Sequence, residues 1–522
     1  VVDSKEHSHH HKGDAPPPPR NTHVAFLQYT SGSTSEPKGV VVTHKALWHN
    51  LSLIVEHLEA DESTVVVSWL PQYHDMGLIG SYMGVVRCGG RGYYTSPFTF
   101  VKRPASWVEA ISAFRGTHMQ APNFAYALAA RKPPATFLGL DLSCVRHMIN
   151  GAEPVETKAM ESFYAVFEKF AKLKRGVIHP TYGLAEHTVF VCGSTRDHFS
   201  VLNVSASKLL EGRVEEAKEQ TRELVGCGRP RGGVTLKIVD PNMKELAEGL
   251  VGEIWLRSES VADAYWGREP SDEDFAAPLQ DQHYLRTGDV GFLKKGELFV
   301  CGRLKDLIIL RGKNHYPHDI ERTVERSAPV DVRPGCIAAF SVEGGGSSST
   351  EGSDKLVVIA EVRDPNSKKK QGWRELCASV AAAVAREHGV PLQRLVLVKP
   401  RTIAKTTSGK IARRRCAAAY TEGSLAVVES WRQEAGDEDE EATETQPLQQ
   451  QPKSSNGRKA TECGGVIADL AVELAQLASR DVASLGADVP LVDLGIDSMA
   501  LAQMRGVLES SRFGCTDLPE DL

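Results

Sequence analysis

Tyr29-Thr-Ser-Gly-Ser-Thr-Ser-Glu-Pro-Lys38-Gly39 is the stretch on which the reading of this chain turns. Apolar runs flank it, Val24 to Leu27 and Val40 to Val42, so it reads as a loop between two strands. Thr30, Ser31, Gly32, Ser33 and Thr34 gather hydroxyls and backbone N–H groups, and Lys38 adds a point charge after a proline. Gly32 lets the backbone approach an anion closely, so the loop can cradle phosphate oxygens. The Gly-Lys-Ser/Thr ending and helix start of a Walker A loop are absent. Taken alone, the segment leaves a polar hairpin turn as the alternative.

Outward from this loop the chain sorts into regions. Residues 1–20 are rich in His, charge and Pro, which predicts a solvated loop rather than a metal-binding tract. From Val24 to about Cys301, β-branched runs alternate with helical periodicity, as at Trp107 to Phe114 and Ala159 to Phe170. That alternation predicts an α/β domain, residues 21–304, built on a mainly parallel sheet. After Leu304-Lys305-Asp306 the texture changes to a smaller α+β unit, residues 305–434. Its strands are expected at Cys336 to Val342, Leu356 to Val362 and Leu395 to Val398, its Ala-rich helix at Trp373 to His388, and a Gly/Ser loop at Gly344 to Ser353. Residues 435–460 combine an acid run, Gln and Pro with almost nothing apolar, the composition of a flexible linker. Residues 461–522 regain helical periodicity at Val466, Leu470, Leu474 and Leu477, with a second helix from about Ser498 to Leu508.

The chain has 522 residues, 41% of them hydrophobic and 25% charged, so it reads as globular with about three domains. A net charge of −6 argues against nucleic acid as the main partner. No apolar run approaches the ~20 residues that span a bilayer, and no signal-peptide pattern opens the chain. The ten cysteines stand singly with no CxxC pair, which fits a reducing compartment, cytoplasmic or other, rather than disulfides or a zinc site. The chain starts at Val1 rather than Met and ends where Leu518-Pro-Glu-Asp approaches another helix, the expected look of a fragment.

Further polar motifs follow in order. Pro71-Gln-Tyr-His74-Asp75-Met-Gly places an imidazole and a carboxylate after the strand Val65 to Trp69. Asn150-Gly151-Ala152-Glu153-Pro154 reads as a turn able to present backbone groups to a planar base. Tyr182-Gly183-Leu-Ala-Glu186 reads as an aromatic one helical turn from a carboxylate. Arg286-Thr-Gly-Asp289 reads as a strand end carrying an acid suited to two adjacent hydroxyls. Gly302-Arg303-Leu-Lys305-Asp306 and Arg311-Gly-Lys-Asn-His-Tyr-Pro317 mark the texture change, and Lys405-Thr-Thr-Ser-Gly-Lys410 is a Gly-containing loop ending in lysine. Each alone is a solvated charged loop; their order is the strong observation.

That order resembles the adenylate-forming superfamily of acyl-CoA synthetases, luciferases and peptide-synthetase adenylation domains. The wording Ser68-Trp-Leu-Pro-Gln-Tyr-His-Asp-Met-Gly-Leu-Ile, Ala121-Pro-Asn-Phe-Ala-Tyr and Gly302-Arg-Leu-Lys-Asp-Leu-Ile-Ile is similar to fatty acyl-AMP ligases, over about Val24 to Arg415. The resemblance implies a large N-terminal domain, truncated at its start, and a small C-terminal domain that together convert ATP and a fatty acid to an acyl-adenylate. It implies that Thr30, Ser31, Gly32, Ser33, Thr34 and Lys38 hold phosphates, that Glu186 binds Mg²⁺, and that Tyr182 stacks on adenine beside Gly151, Ala152, Glu153 and Gly183. Asp289 and Arg303 would take the ribose, Lys410 would sit between the attacking carboxylate and the α-phosphate, and Lys305 would be the hinge. His74 either lines the acyl pocket, with residues around Phe124, Tyr126 and Met148, or is structural. His187 departs from the family's usual wording.

Leu491-Val-Asp-Leu-Gly-Ile-Asp497-Ser498-Met-Ala-Leu resembles the attachment motif of an acyl carrier domain, here partial. It implies 4′-phosphopantetheine on Ser498, a phosphopantetheinyl transferase as partner, and delivery of the acyl group to the chain's own or downstream carrier and synthase domains of a polyketide or lipopeptide pathway. The long stretch from Ser194 to Leu224 is expected to be the insertion that in fatty acyl-AMP ligases limits movement of the small domain and disfavours coenzyme A. An acyl-CoA ligase and a non-catalytic binding module are the alternatives. Retention of Glu186, Asp289, Arg303 and Lys410 weighs against the latter.

Overall fold

A computed structural model describes residues 20–30, 37–131, 134–195, 199–268, 274–342, 354–406 and 409–433. The N-terminal segment, the Ser31–Thr34 loop, the Gly344–Ser353 loop, the linker, and the carrier-like segment with Ser498 lie outside these residues.

The quoted stretch does connect two strands. Val24–Thr30 and Lys38–Thr43 pair antiparallel, with Tyr29 opposite Gly39 and Thr30 opposite Lys38. The main sheet has seven strands. Arg91–Tyr94, Val65–Ser68, His118–Pro122, His147–Gly151 and Ile178–Gly183 run parallel, and Phe190–Gly193 and Arg229–Pro230 close one side antiparallel. Helices Ala105–Phe114, Asn123–Ala130 and Thr157–Ala171 cover it. Their apolar faces bury Trp107, Tyr126, Phe163 and Phe167 completely, which offsets much of the ordering entropy of this layer.

The parallel expectation does not extend to Cys301. Residues 235–303 form an antiparallel sheet of Thr235–Val239, Gly252–Arg257, Ala277–Leu279, Gln282–Lys294 and Glu297–Arg303. The physical reason is the loss of intervening helices among the described residues: tight turns join Leu279 to Gln282 and Lys294 to Glu297, and longer loops join the other strands. Lys295 and Gly296, both at positive φ (53° and 73°), join the last two strands in the turn that matches strand twist.

The smaller unit is a four-stranded sheet, Val332–Val342, Lys355–Val362, Arg394–Val398 and Val427–Arg432. Its last strand was not foreseen from the sequence. Helices Pro317–Ser327 and Lys370–His388 pack one face, and Arg413–Thr421 the other. The described cysteines are all free thiols. Among the described residues, no helix is long and apolar enough to cross a membrane.

At the starts of neighbouring parallel strands, His118, His147 and His179 stack in a buried row with ring centroids 5.0 Å apart. Burial pulls His118, like the fully buried His187, down to about 4. An unfolded histidine titrates near 6.5, so the unfolded chain takes up these protons first as pH falls. The stabilisation is intact above about pH 6.5 and is lost as pH drops toward about 4, on the order of 2–3 kcal/mol per fully buried histidine. Urea midpoints should therefore fall steeply between pH 6.5 and 5, and His118→Gln should flatten the slope; a pH-independent midpoint would contradict this account.

Candidate active site

In a parallel sheet the crevice beyond the strands' C-terminal ends is where ligands bind. Four strands of this sheet deliver motif residues there. Val65–Ser68 leads to His74 and Asp75, His118–Pro122 to Phe124, His147–Gly151 to Ala152 and Glu153, and Ile178–Gly183 to Glu186.

His74 Nδ1 lies 2.7 Å from Asp75 Oδ1, which also accepts the Met76 N–H at 2.6 Å. Burial pushes the Asp75 carboxyl up, but His74, Lys410 and the Met76 N–H outweigh it and hold it below the usual aspartate range. Gln28, beside the opening loop, fixes this turn by donating to the Tyr73 carbonyl at 2.9 Å. The chain then enters an eight-residue π-helical stretch, Met76–Met83, a rare form concentrated at functional sites. Ala152 takes a positive φ of 68° at the next turn. Glu153 there accepts the Phe124 N–H at 2.7 Å, and burial raises its pKa. Of the expected acyl-pocket residues, Tyr126 and Met148 are closed into the core, while Phe124 keeps 38% of its surface exposed.

Asp289 is not at a strand end. It sits within the long strand Gln282–Lys294, where register with the neighbouring strand shifts between Glu253 and Trp255. Thr287 and Gly288 take up the irregularity, Gly288 at a φ of 67°. A bulge of this kind re-aims a side chain toward a site. Asp289 Oδ1 accepts Arg303 Nε at 3.0 Å, and its Oδ2 accepts the Tyr182 hydroxyl at 2.8 Å.

The expectation that Tyr182 and Glu186 share a helical turn is also corrected. Tyr182 ends a strand and Glu186 lies in the short 3₁₀ turn Ala185–His187. Gly183 between them packs so tightly that a Cβ would lie 1.9 Å from the Val189 carbonyl oxygen, which rules out a helix-forming side chain there. Burial raises the Glu186 pKa, opposed by the Tyr265 hydroxyl, which donates to Oε1 at 2.7 Å. The same Tyr265 ring lies under the Lys38 ammonium at 4.4 Å. One tyrosine thus connects the phosphate-loop lysine to the acid. Among the described residues no cluster of three or more His, Cys, Asp or Glu is arranged for a metal. A single carboxylate suits Mg²⁺, which keeps waters and takes its remaining ligands from substrate phosphates.

Lys410 arrives from the small domain. Its loop is closed by pairing of Lys405 with Ile411 and by the Thr406 N–H donating to the Lys410 carbonyl at 2.8 Å. Lys410 lies in an open cleft, exposed to solvent. The protein crowding it still costs the ammonium hydration, which with Arg303 lowers its pKa, while Asp75, Glu153 and Asp289 pull it back up. Three residues on, Arg413 makes a two-bond fork with Glu321, both at 2.7 Å, and reaches Asp306 at 3.0 Å. The crossing between domains is the 3₁₀ turn Leu304–Asp306, where Lys305 is exposed.

The stretch after Ser194 is ordered as a strand, Val201–Ser205, a short helix, Ala206–Leu210, and a strand, Thr221–Val225. Val204, Leu209 and Leu224 pack with Phe292 and Phe299 of the large domain and with Tyr316 beyond the Leu304–Asp306 turn. Arg222 is the polar centre of this contact. It pairs with Asp319 at 3.0 Å, donates to the Cys301 carbonyl at 2.8 Å and stacks on Tyr316 at 4.3 Å. Glu156 adds a second bridge to His318 and Arg322, at 3.3 and 3.2 Å.

Thr30, Lys38, Gly151, Ala152, Glu153, Tyr182, Gly183, Glu186, Asp289, Arg303, Lys305, Lys410 and His74 are thus all described, and Lys410 faces Asp75, Glu153, Asp289 and Arg303 although it comes from the other domain. Ser31, Gly32, Ser33, Thr34 and Ser498 lie outside the described residues. Sequence reasoning missed Tyr265, Arg222 and Arg413. Tyr265 stands in Ala264-Tyr-Trp-Gly267, where nothing but an aromatic after an alanine could have pointed to it.

Family models match twice: AMP-binding enzyme over residues 2–266, and the AMP domain of Disco-interacting protein 2-like proteins over residues 305–430. The chain is 41% identical over 416 residues to the medium-chain-fatty-acid–[acyl-carrier-protein] ligase JamA of Moorena producens, covering 77% of this chain and 68% of that protein. It is 36% identical to the long-chain-fatty-acid–AMP ligase FadD32 of Mycobacterium marinum, covering 77% and 69%. A crystal structure of the fatty acyl-adenylate ligase from L. pneumophila, in complex with acyl adenylate and pyrophosphate, superposes with a TM-score of 0.56 at 36% identity, covering 80% of this chain and 73% of that one.

The Arg222 contact is mostly buried, 11% exposed against 19% for Asp319. Arg222→Ala leaves Asp319 without its partner and should weaken domain apposition by about 2–3 kcal/mol. Hydrogen exchange should then quicken in helix Pro317–Ser327 with the main sheet unaffected; unchanged exchange there would contradict the role.

Proposed function

The chain belongs to the AMP-binding enzyme family, in its fatty acyl-AMP and acyl-CoA ligase branch, and on that footing we propose that it activates a fatty acid with ATP and passes the acyl group to a carrier-bound thiol. The observation that carries this reading is the placement of Lys410 among Asp75, Glu153, Asp289 and Arg303. In the first half-reaction a fatty carboxylate oxygen bonds to the α-phosphorus of ATP and the bond to pyrophosphate breaks. Lys410 neutralises the charge gathering between carboxylate and α-phosphate. Asp289, held in place by Tyr182 and Arg303, accepts from the ribose hydroxyls. Gly151, Ala152, Glu153 and Gly183 border the base, on which Tyr182 stacks. Thr30 and Lys38, with Ser31, Gly32, Ser33 and Thr34, hold the departing phosphates. Glu186 would hold Mg²⁺, which when bound screens the phosphate charge. His74 sits at the carboxylate end of the acyl path.

In the second half-reaction a thiol attacks the acyl carbon and AMP leaves. We assign that thiol to 4′-phosphopantetheine on a carrier, installed on Ser498 by a phosphopantetheinyl transferase, for delivery to a polyketide or lipopeptide synthase. Packing of the Val201–Val225 insertion against both domains supports a carrier over coenzyme A, because it opposes rotation about Lys305.

Lys410→Ala should lower fatty-acid-dependent ATP–pyrophosphate exchange roughly 10²–10³-fold with the protein still folded; undiminished exchange would refute its role. Mass spectrometry of the chain after treatment with the transferase, ATP and mixed fatty acids should find the acyl group on Ser498. Rapid acyl-CoA formation on adding coenzyme A would favour the acyl-CoA ligase reading instead.

A further inference from the structure

Glu186 is offered to the cleft by a turn with almost no regular structure of its own, Ala185–His187. His187 lies fully buried in that turn. Its Nδ1 is 2.9 Å from the Phe190 carbonyl oxygen, an atom that only accepts, so Nδ1 carries the proton. Nε2 is then the acceptor, and the Ser258 hydroxyl donates to it at 2.7 Å. Ser258 Oγ in turn accepts the Ser260 N–H at 3.0 Å. The chemistry of each atom is satisfied in one direction only.

The next residue, Thr188, has φ 66° and ψ −66°, a strained γ-turn that a β-branched residue rarely adopts. Thr188 Oγ1 donates to the Ser260 carbonyl at 2.8 Å, and the Thr188 N–H to Ala185 at 2.9 Å. The Asn50 amide donates to the His187 and Phe190 carbonyls at 3.1 and 2.8 Å and accepts the Phe190 N–H at 3.1 Å. Strain persists only where the surroundings over-determine it, and such places cluster at functional sites. The segment that receives His187 also grips Glu186 directly: the Ala262 N–H donates to the Glu186 carbonyl at 2.9 Å, and Tyr265 donates to its carboxylate. His187 therefore sets the spacing between the turn bearing the acid and the segment bearing Tyr265.

We propose that His187 is a positioning residue for the divalent cation that accompanies ATP: hydrogen-bonded between the Phe190 carbonyl and the Ser258 hydroxyl, it fixes the Glu186 turn against the Ser258–Tyr265 segment so that the carboxylate is presented to the ion. This rests on the reading of Glu186 as the cation's carboxylate. Outer partners that orient a metal's carboxylate alter metal affinity without touching the metal.

The test is Mn²⁺ binding to the full chain with a non-hydrolysable ATP analogue, followed by electron paramagnetic resonance. Mg²⁺ half-saturation of ATP–pyrophosphate exchange is measured in parallel. His187→Asn keeps a donor toward Phe190 but loses the acceptor for Ser258; Ser258→Ala removes the same hydrogen bond from its other end. Each should weaken Mn²⁺ binding and raise the Mg²⁺ half-saturation roughly three- to tenfold, the worth of one buried hydrogen bond. The KM for fatty acid should stay within about twofold, and the double variant should be no weaker than the singles. Should His187→Asn fail to fold, Ser258→Ala decides alone. Folded variants that bind Mn²⁺ as tightly as the parent overturn the proposal. Glu186→Gln is the control: if it leaves Mn²⁺ binding intact, the reading of Glu186 itself falls.

Discussion

A lysine ammonium brought from one domain into a group of carboxylates on another is the interaction on which the rest of this architecture depends. Lys410 has no neighbour in sequence that needs it, yet Asp75, Glu153 and Asp289 all act on its charge. Each acid comes from a different element, and each is already held by its own donor: Met76, Phe124, and Tyr182 with Arg303. The cleft is thus preorganised before the small domain arrives. What the small domain adds is the Lys410 ammonium, and the contacts through Arg222 and Glu156 hold it in range.

The electrostatics set the terms of that arrangement. Lost hydration works against three of these charges, raising Glu153 and Glu186 and lowering Lys410, which still keeps contact with solvent. Neighbouring charges offset this only in part for Glu153, Glu186 and Lys410, and outweigh it for Asp75.

Much of this was legible in the residues. Runs such as Val65 to Trp69 followed by polar motifs announce parallel strands with functional ends, and the Ala-rich helix at Trp373 to His388 declared itself by composition. The antiparallel sheet of residues 235–303 was less legible, since its strands are joined by turns whose geometry lies in backbone angles rather than in residue type. Asp289 was found, but the bulge that aims it was not, because register is a relation between two strands. Tyr265 and His187 act on Glu186 through hydrogen bonds spanning about as many residues as a small domain contains. No local pattern encodes such a distance.

The crossing between the two domains has a mechanical consequence. Arg303 is tied to Asp289 on the large side, and Asp306 to Arg413 on the small side. Between these two ties only Leu304 and Lys305 are left untethered by ion pairs, and each peptide unit offers just two soft torsions. The small domain is therefore mounted on a short crank rather than a loose tether. Any rotation there would be confined to a narrow family of arcs, and a modest twist at the crank would become a large excursion at the Lys410 loop. Gearing of this kind lets a protein trade one working face for another without searching the space in between.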